Sequence, residues 1–400
     1  MNRVLVLSPE PVRRRMAGMG IRALRIAEHL GRAGHDVVLA SPAPEEVPLH
    51  GAGRVVVSET REALRRAEEF QVAVVSGHTG KDLVASRFPG AVVADLYDPF
   101  LVENLSYTAS LGPNVFVNDR KALFGLLERA DFVLAATEEQ RLFWLGLLLG
   151  LGRLSPADIE RDAEARRLCD LVPFGVDETP PSGIWPFHEI PAGEADVLFG
   201  GVYDWYDAEL VLDAWPAVLA KVPSARLLFS ETPNRSSTPQ VRFDEAKARA
   251  EREGWLGRSV IVLPWASLEA RGGLYGACRV AAVAQRPSLE TALSFRTRLF
   301  DFLWAGLPVV TTEGGAGARL IAETGAGRVV PADPPAFAAA LVAFLSDGAA
   351  QATAAGKALE AAAAFHWERT LSPLLHFAAA PWRKDSRASG IFRRLLGGVG

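Results

Sequence analysis

The chain has 400 residues, 49% of them hydrophobic and 22% charged, with a formal net charge of −4. That length suits two domains with full cores, the composition argues against disorder, and the charge leaves no footprint for nucleic acid. Two cysteines, Cys169 and Cys278, sit in no CxxC pair, which speaks against a disulfide framework or a zinc ribbon.

The first residues, MNRVLVLSPEP, resemble a first strand and lack the apolar core of a signal peptide. Short Val/Leu-rich runs then follow at Val37–Ala40, Val55–Val57, Val72–Val75, Val92–Ala94 and Phe132–Ala135. Between them lie helix-length amphipathic stretches such as Ile21–Arg32 and Glu59–Glu69. Runs of this kind suit strands buried on both faces of a parallel sheet. Arg13, Arg14, Arg15, Arg22, Arg25 and Arg32 crowd the early part of the chain. The stretch LFWLGLLLGLG (142–152) is shorter than the roughly 20 apolar residues that span a bilayer. With Arg13–Arg15 it could form a membrane-surface patch, and a buried helix beside a solvated loop is the alternative. The expected localisation is cytoplasmic, soluble or peripheral on the inner face of the membrane.

Pro180, Pro181, Pro186 and Pro191 mark a stiff linker. A second alternation begins after it, with strands at Val197–Phe199, Arg226–Phe229, Val260–Leu263, Val280–Ala284, Pro308–Thr311 and Arg328–Val330 and helices such as Ala208–Ala220 and Phe243–Glu253. The fold class is therefore α/β, two doubly wound domains with a cleft between them. The expected boundaries are a first domain over 1–178, a linker over 179–195, a second domain over 196–364, a C-terminal helix over 365–380 and a basic tail over 381–400. Trp367, Leu371, Leu374 and Leu375 form a helical apolar stripe, which predicts that the C-terminal helix crosses back to the first domain.

SFRTRLFDFLWAGLPVV (294–310) sets charges into an apolar run. The pattern predicts a helix over Phe295–Ala305, with Ser294 as its N-cap and Gly306 with Pro308 as its stop. Arg296 and Arg298 in a first turn are unfavourable beside the positive end of the helix dipole unless an anion is present. A diphosphate fits, with Asp301 one turn on as a partner for ribose hydroxyls. An Arg298–Asp301 surface ion pair fits the same spacing.

The stretch resembles the donor-binding helix of GT-B glycosyltransferases, close to family 4 of the retaining enzymes, through Arg298, Asp301, Phe302, Leu303, Gly306, Pro308, Val309 and Val310. MAGMGIRALRIAEHLGRAGHDVVLA, LVPFGVD (171–177), VLFGGVYDWYD (197–207) and the region 260–282 are similar to other family segments in the same order. The resemblance implies two Rossmann-like domains and transfer of a sugar from a nucleoside-diphosphate sugar to a hydroxyl acceptor, lipid-linked or polysaccharide, with retention of configuration. It implies no cofactor and no metal. It places the donor diphosphate on Arg298 and the ribose on Asp301, with Arg296 as added positive charge. Leu293 stands where many relatives carry a glutamate, and Glu290 is the substitute. The loop 201–207 lacks the Arg and Lys found in many relatives.

Further candidates are loop residues after strands. Gly18 and Gly20 would let backbone approach the sugar or phosphate, and Gly314 and Gly315 would offer amides to the donor, with a plain structural turn as the alternative for each pair. His78 and Asp98 would meet the transferred sugar or the acceptor, with Asp95 beside them, and a plain structural hydrogen bond remains the alternative for each. Two other functions fit the same pattern: a nucleotide-sugar epimerase, and a non-catalytic glycosyltransferase-like subunit.

Overall fold

The structure, a computed structural model, describes residues 1–49, 54–107, 112–232 and 240–384. It divides into two compact units: residues 1–13, 18–175 and 367–400 form unit 1, and residues 14–17 and 176–366 form unit 2.

In unit 1 the apolar runs become β1 (Arg3–Leu7), β2 (Asp36–Ser41), β3 (Val55–Glu59), β4 (Val72–Ser76), β5 (Ala91–Asp95), β6 (Phe132–Ala135) and β7 (Cys169–Leu171). They pair in the order β3-β2-β1-β4-β5-β6-β7, and the pairings are parallel. Every residue of β4 and β5 is buried, as expected for strands covered on both faces. The order reverses between β1 and β4, so ligands should meet this sheet at the carboxyl ends of those strands. One core cluster joins Leu5, Val75, Phe88, Leu126 and Trp144. Two expectations shift. The helix read over Glu59–Glu69 is α2 (Thr60–Arg65) followed by a separate 3-10 turn, Ala67–Glu69. The three-residue β7 is an addition, too short for its sequence to show a strand period.

Two short C-terminal helices, Trp367–Thr370 and Ser372–Ala379, also belong to unit 1. Phe377 stacks on Phe132 with centroids 5.1 Å apart, and Trp367 lies 4.9 Å from Phe174. A Cβ on Gly175 would stand 2.4 Å from the Trp367 ring, so only glycine admits this contact. Asn2 Nδ2 donates to the Ala378 carbonyl at 2.7 Å. Beyond Lys384 the basic tail lies outside the described residues.

Unit 2 is built from β8 (Asp196–Gly201), β9 (Arg226–Ser230), β10 (Val260–Leu263), β11 (Val280–Val283), β12 (Val309–Thr312) and β13 (Gly327–Val330). Their order is β10-β9-β8-β11-β12-β13, again with parallel pairing. The reversal falls between β8 and β11. The register of β8 against β9 slips between Leu198 and Gly200, so Phe199 is an extra residue in a bulge. Gly200 supports it with φ +77°. Residues 179–195 fall within unit 2 rather than standing apart as a linker. They pack on α10 (Arg271–Ala277), where a Cβ on Gly273 would stand 1.8 Å from the Ile184 carbonyl oxygen. Trp304 Nε1 donates to the Thr179 carbonyl at 2.7 Å.

Candidate functional site

The carboxyl edge of the second sheet collects most of the expected donor residues. α11 (Leu289–Leu293) starts at Ser288, whose hydroxyl accepts from the Thr291 amide. Ser294 ends α11 instead of capping the next helix, and α12 runs over Thr297–Trp304. The helix therefore starts later than the sequence suggests, because Ser294 to Arg296 form the turn between the two helices. Arg296 occupies the N-cap position with extended backbone.

That turn aims Arg296 inward. Its Nη1 and Nη2 donate to both oxygens of Glu290 at 2.5 and 2.6 Å, and both side chains are nearly buried. Its Nε donates to Gln285 Oε1 at 3.3 Å. Gln285 Nε2 in turn donates to the Gly314 carbonyl at 3.1 Å. Glu290 and Arg296, proposed from sequence for separate roles, are thus each other's partners. A buried bidentate pair of this kind orders its surroundings more than it adds net stability.

Arg298 reaches the β8 bulge. Its Nη1 donates to the Phe199 carbonyl and its Nη2 to the Gly201 carbonyl, both at 2.7 Å. The guanidinium carbon lies 4.0 Å from the centroid of the Tyr206 ring, within cation–π range. Two of five N–H donors are engaged by these carbonyls. Asp301 faces elsewhere. It accepts from the Tyr275 hydroxyl at 3.1 Å and lies 3.6 Å from Arg271 Nη1. Burial pushes the Asp301 carboxyl above its usual range, opposed by Arg271 and by the Tyr275 hydrogen bond. The surface Arg298–Asp301 pair is therefore not how these side chains are arranged.

Gly314 and Gly315 stand where α13 (Gly315–Thr324) begins, with φ +106° and +71°. A Cβ on Gly315 would lie 2.4 Å from the Thr291 carbonyl oxygen, so the close approach requires glycine. Tyr206, Gln285, Arg271 and Tyr275 were missed by sequence reasoning. Gln285, a polar residue directly after an apolar strand, carried the best signal.

At the carboxyl edge of the first sheet the arrangement differs. Gly18 and Gly20 form the first turn of α1 (Gly18–Arg32) rather than a flexible loop, and the Gly20 amide donates to Glu10 Oε2 at 3.3 Å. Asp95 is not open to a ligand. It accepts from Arg22 Nε and Nη2 at 2.8 and 2.9 Å, and both are fully buried. Asp98 is half-buried in the loop before α4 (Phe100–Glu103). His78 follows β4, half-exposed, with Nε2 at 2.8 Å from Asp119 Oδ1.

Two doubly wound sheets with these edges define the GT-B fold. Residues 194–347 match the sequence model of the family described as glycosyl transferases group 1. That match lies wholly within unit 2, so the likeness to this family is carried by the second sheet and its helices, on a chain with the GT-B fold. Among solved structures, HepE from Anabaena in complex with UDP and glucose superposes with a TM-score of 0.68 at 16% identity, covering 95% of this chain and 100% of that one. Sucrose-phosphate synthase from Thermosynechococcus elongatus gives 0.63 at 17%, covering 100% of both chains. WaaG, a glycosyltransferase involved in lipopolysaccharide biosynthesis, gives 0.60 at 16%, covering 94% and 100%. No curated protein matches by sequence.

Proposed function

We propose that the chain transfers a sugar from a nucleoside-diphosphate sugar to a hydroxyl acceptor, with retention of configuration and without a metal or cofactor. The observation that carries this reading is the pair of arginines at the start of α12, Arg296 at its N-cap and Arg298 in its first turn, set at the strand-order reversal of the unit that matches the glycosyl transferase group 1 model. The chemical need is to stabilise a leaving diphosphate. Arg298 would hold it with the guanidinium donors that do not reach the bulge, and the amides at Gly314 and Gly315 would add neutral donors. Arg296, paired with Glu290 and packed against the rings of Trp205 and Tyr206, would hold the turn from which Arg298 projects. Asp301, held by Tyr275 and Arg271, would accept from the ribose hydroxyls. On unit 1, His78 and Asp98 would meet the sugar or the acceptor. The HepE complexes with UDP and with UDP-glucose support a uridine nucleotide as first trial. Retention follows when the acceptor attacks the face that the diphosphate leaves and the phosphate takes its proton, which requires no strong protein base.

The acceptor is proposed to be lipid-linked or a polysaccharide intermediate, reached from the inner face of the membrane. α6 (Glu138–Gly150) favours this: Leu142 and Leu149 are exposed while Trp144 and Leu148 are buried. Among the described residues no single helix is long and apolar enough to cross a membrane.

The test is release of nucleoside diphosphate from a panel of nucleotide sugars, with and without membrane extract, followed by NMR of the product's anomeric centre. Turnover to a retained glycoside is expected. An inverted product would overturn the stereochemistry, and tight binding without turnover would turn the reading toward a non-catalytic subunit.

A further inference from the structure

One polar assembly at the carboxyl edge of the first sheet backs a residue of that scheme, His78, with a carboxylate the scheme does not use. Asp119 lies on α5 (Pro113–Arg129), a helix on which the sequence offers no motif. Its side chain is 1% exposed, yet it faces a half-exposed imidazole. Oδ1 is 2.8 Å from His78 Nε2, and Oδ2 accepts from Asn104 Nδ2 at 2.7 Å. Burying a carboxylate is unfavourable unless its oxygens are engaged. Here one oxygen is fixed by an amide and the other is directed at a ring that reaches solvent.

His78 itself is held by the fold. It sits at the start of α3 (Thr79–Ala85), its carbonyl accepts from the Lys81 amide, and its ring lies 5.0 Å from that of Phe100. Among the described residues the ring's polar partner is Asp119, through Nε2. A carboxylate is an acceptor, so Nε2 must carry the proton, and the neutral ring then has its lone pair on Nδ1. β4, which His78 follows, is one of the two strands flanking the order reversal of this sheet, the edge where ligands of doubly wound domains gather.

We propose that Asp119 is a positioning residue. It fixes the ring plane and the Nε2–H tautomer of His78, with Asn104 fixing Asp119 in turn, so that Nδ1 is presented as a hydrogen-bond acceptor to a hydroxyl of the sugar or of the acceptor. His78 orients that hydroxyl and does not need to remove its proton. The proposal deepens the transfer reading and rests on it only for the kinetic part of its test.

The first measurement needs neither substrate nor variant. Long-range ¹H–¹⁵N spectra of the full chain, labelled at histidine and assigned by loss of one ring in His78→Gln, should show neutral His78 as the Nε2–H tautomer. A dominant Nδ1–H tautomer overturns the proposal. In Asp119→Asn, whose amide can turn either end to the ring, the two tautomers should mix. An unchanged tautomer overturns Asp119 as the orienting group. Should that variant fail to fold by circular dichroism, Asn104→Ala, which leaves the Asp119–His78 contact in place but frees the carboxylate to turn, should show a partial shift, and no shift there counts against the proposal. The kinetic arm follows UDP release from UDP-glucose in membrane extract. Asp119→Asn should lower the rate about tenfold or more, as for a lost charge-assisted hydrogen bond. The dissociation constant for UDP should stay within about twofold, since a tenfold change would need a lost contact to the nucleotide itself. A drop in UDP affinity equal to the drop in rate would mean a general structural role. If UDP-glucose is not turned over by the unaltered protein, the choice of donor fails, and if no nucleotide sugar of the panel is, the transfer reading fails; in either case the tautomer still decides the role of Asp119.

Discussion

Each unit buries an arginine bidentately on a carboxylate near the edge of its sheet, and the two pairs do different work. Arg22 of unit 1 gives Nε and Nη2 to Asp95, and it also donates to the Val172 and Pro173 carbonyls. Its ring partner is Tyr97, 4.7 Å away. It ties α1, β5 and the strand end after β7 together. Arg296 of unit 2 pairs with Glu290 six residues earlier and with Gln285, so it orders one local turn. Next to it Arg298 keeps donors beyond the two carbonyls it binds. The comparison teaches that a buried arginine is not by itself a ligand site. What matters is whether the fold engages the whole guanidinium or leaves part of it facing the edge.

The sharpest way to break the comparison is Arg22→Ala. It leaves Asp95 buried without its cation and should cost about 3–5 kcal/mol of unfolding free energy. Urea unfolding checks it, and a loss below about 1 kcal/mol, the range of an exposed pair, would deny that this pair locks unit 1. Arg298→Ala should instead act on binding. UDP affinity measured by titration calorimetry should weaken by about 2–4 kcal/mol, since a desolvated anion loses a charge-assisted partner. Equal UDP affinity in a folded variant would remove Arg298 from the donor site.

Titration separates the units further. In unit 1, His29 on α1 is pushed down from 6.5 to about 4 by burial, then by Arg32 and Arg25. The unfolded chain takes up that proton first as the pH falls. The stability His29 allows is thus complete above about pH 6.5 and is lost as the pH drops toward about 4. His29→Gln should flatten that part of the stability–pH curve. In unit 2 the sign is opposite. Burial raises the Asp301 carboxyl, so the folded chain takes up this proton first. Its ionised form opposes folding at neutral pH, and the opposition is relieved as the pH falls through the raised folded value. Asp301→Asn should therefore leave stability at neutral pH unchanged or raise it by about 1 kcal/mol or less, a surface-like change, while weakening UDP binding more than pyrophosphate binding. A clear loss of stability would make Asp301 a structural residue. Equal weakening for both ligands would mean it only orients its neighbours.

Much of the frame was legible because parallel strands covered on both faces must be apolar throughout. Val72–Val75 and Val92–Ala94 could be read as strands on that ground alone. The partners of the charged residues were not legible. Arg22 and Asp95 are 73 residues apart, and Arg298 meets Phe199 from 99 residues away. No local period encodes such a meeting. Arg296 and Glu290 were both singled out as site residues, but the turn at Ser294 that closes them on each other depends on α11 ending there.

By itself, then, the sequence determined two βα alternations, the order of their strands along the chain, and a helix that carries Arg298, because strands buried on both faces impose continuous apolar runs and amphipathic helices a period of 3.6 on the residues that form them. Only the tertiary structure decided that Arg22 is a lock, that Glu290 answers Arg296, that Arg298 grips a bulge, and that Asp119 stands behind His78. Those choices depend on distances between segments remote in sequence and on which polar atoms the packed core leaves without water.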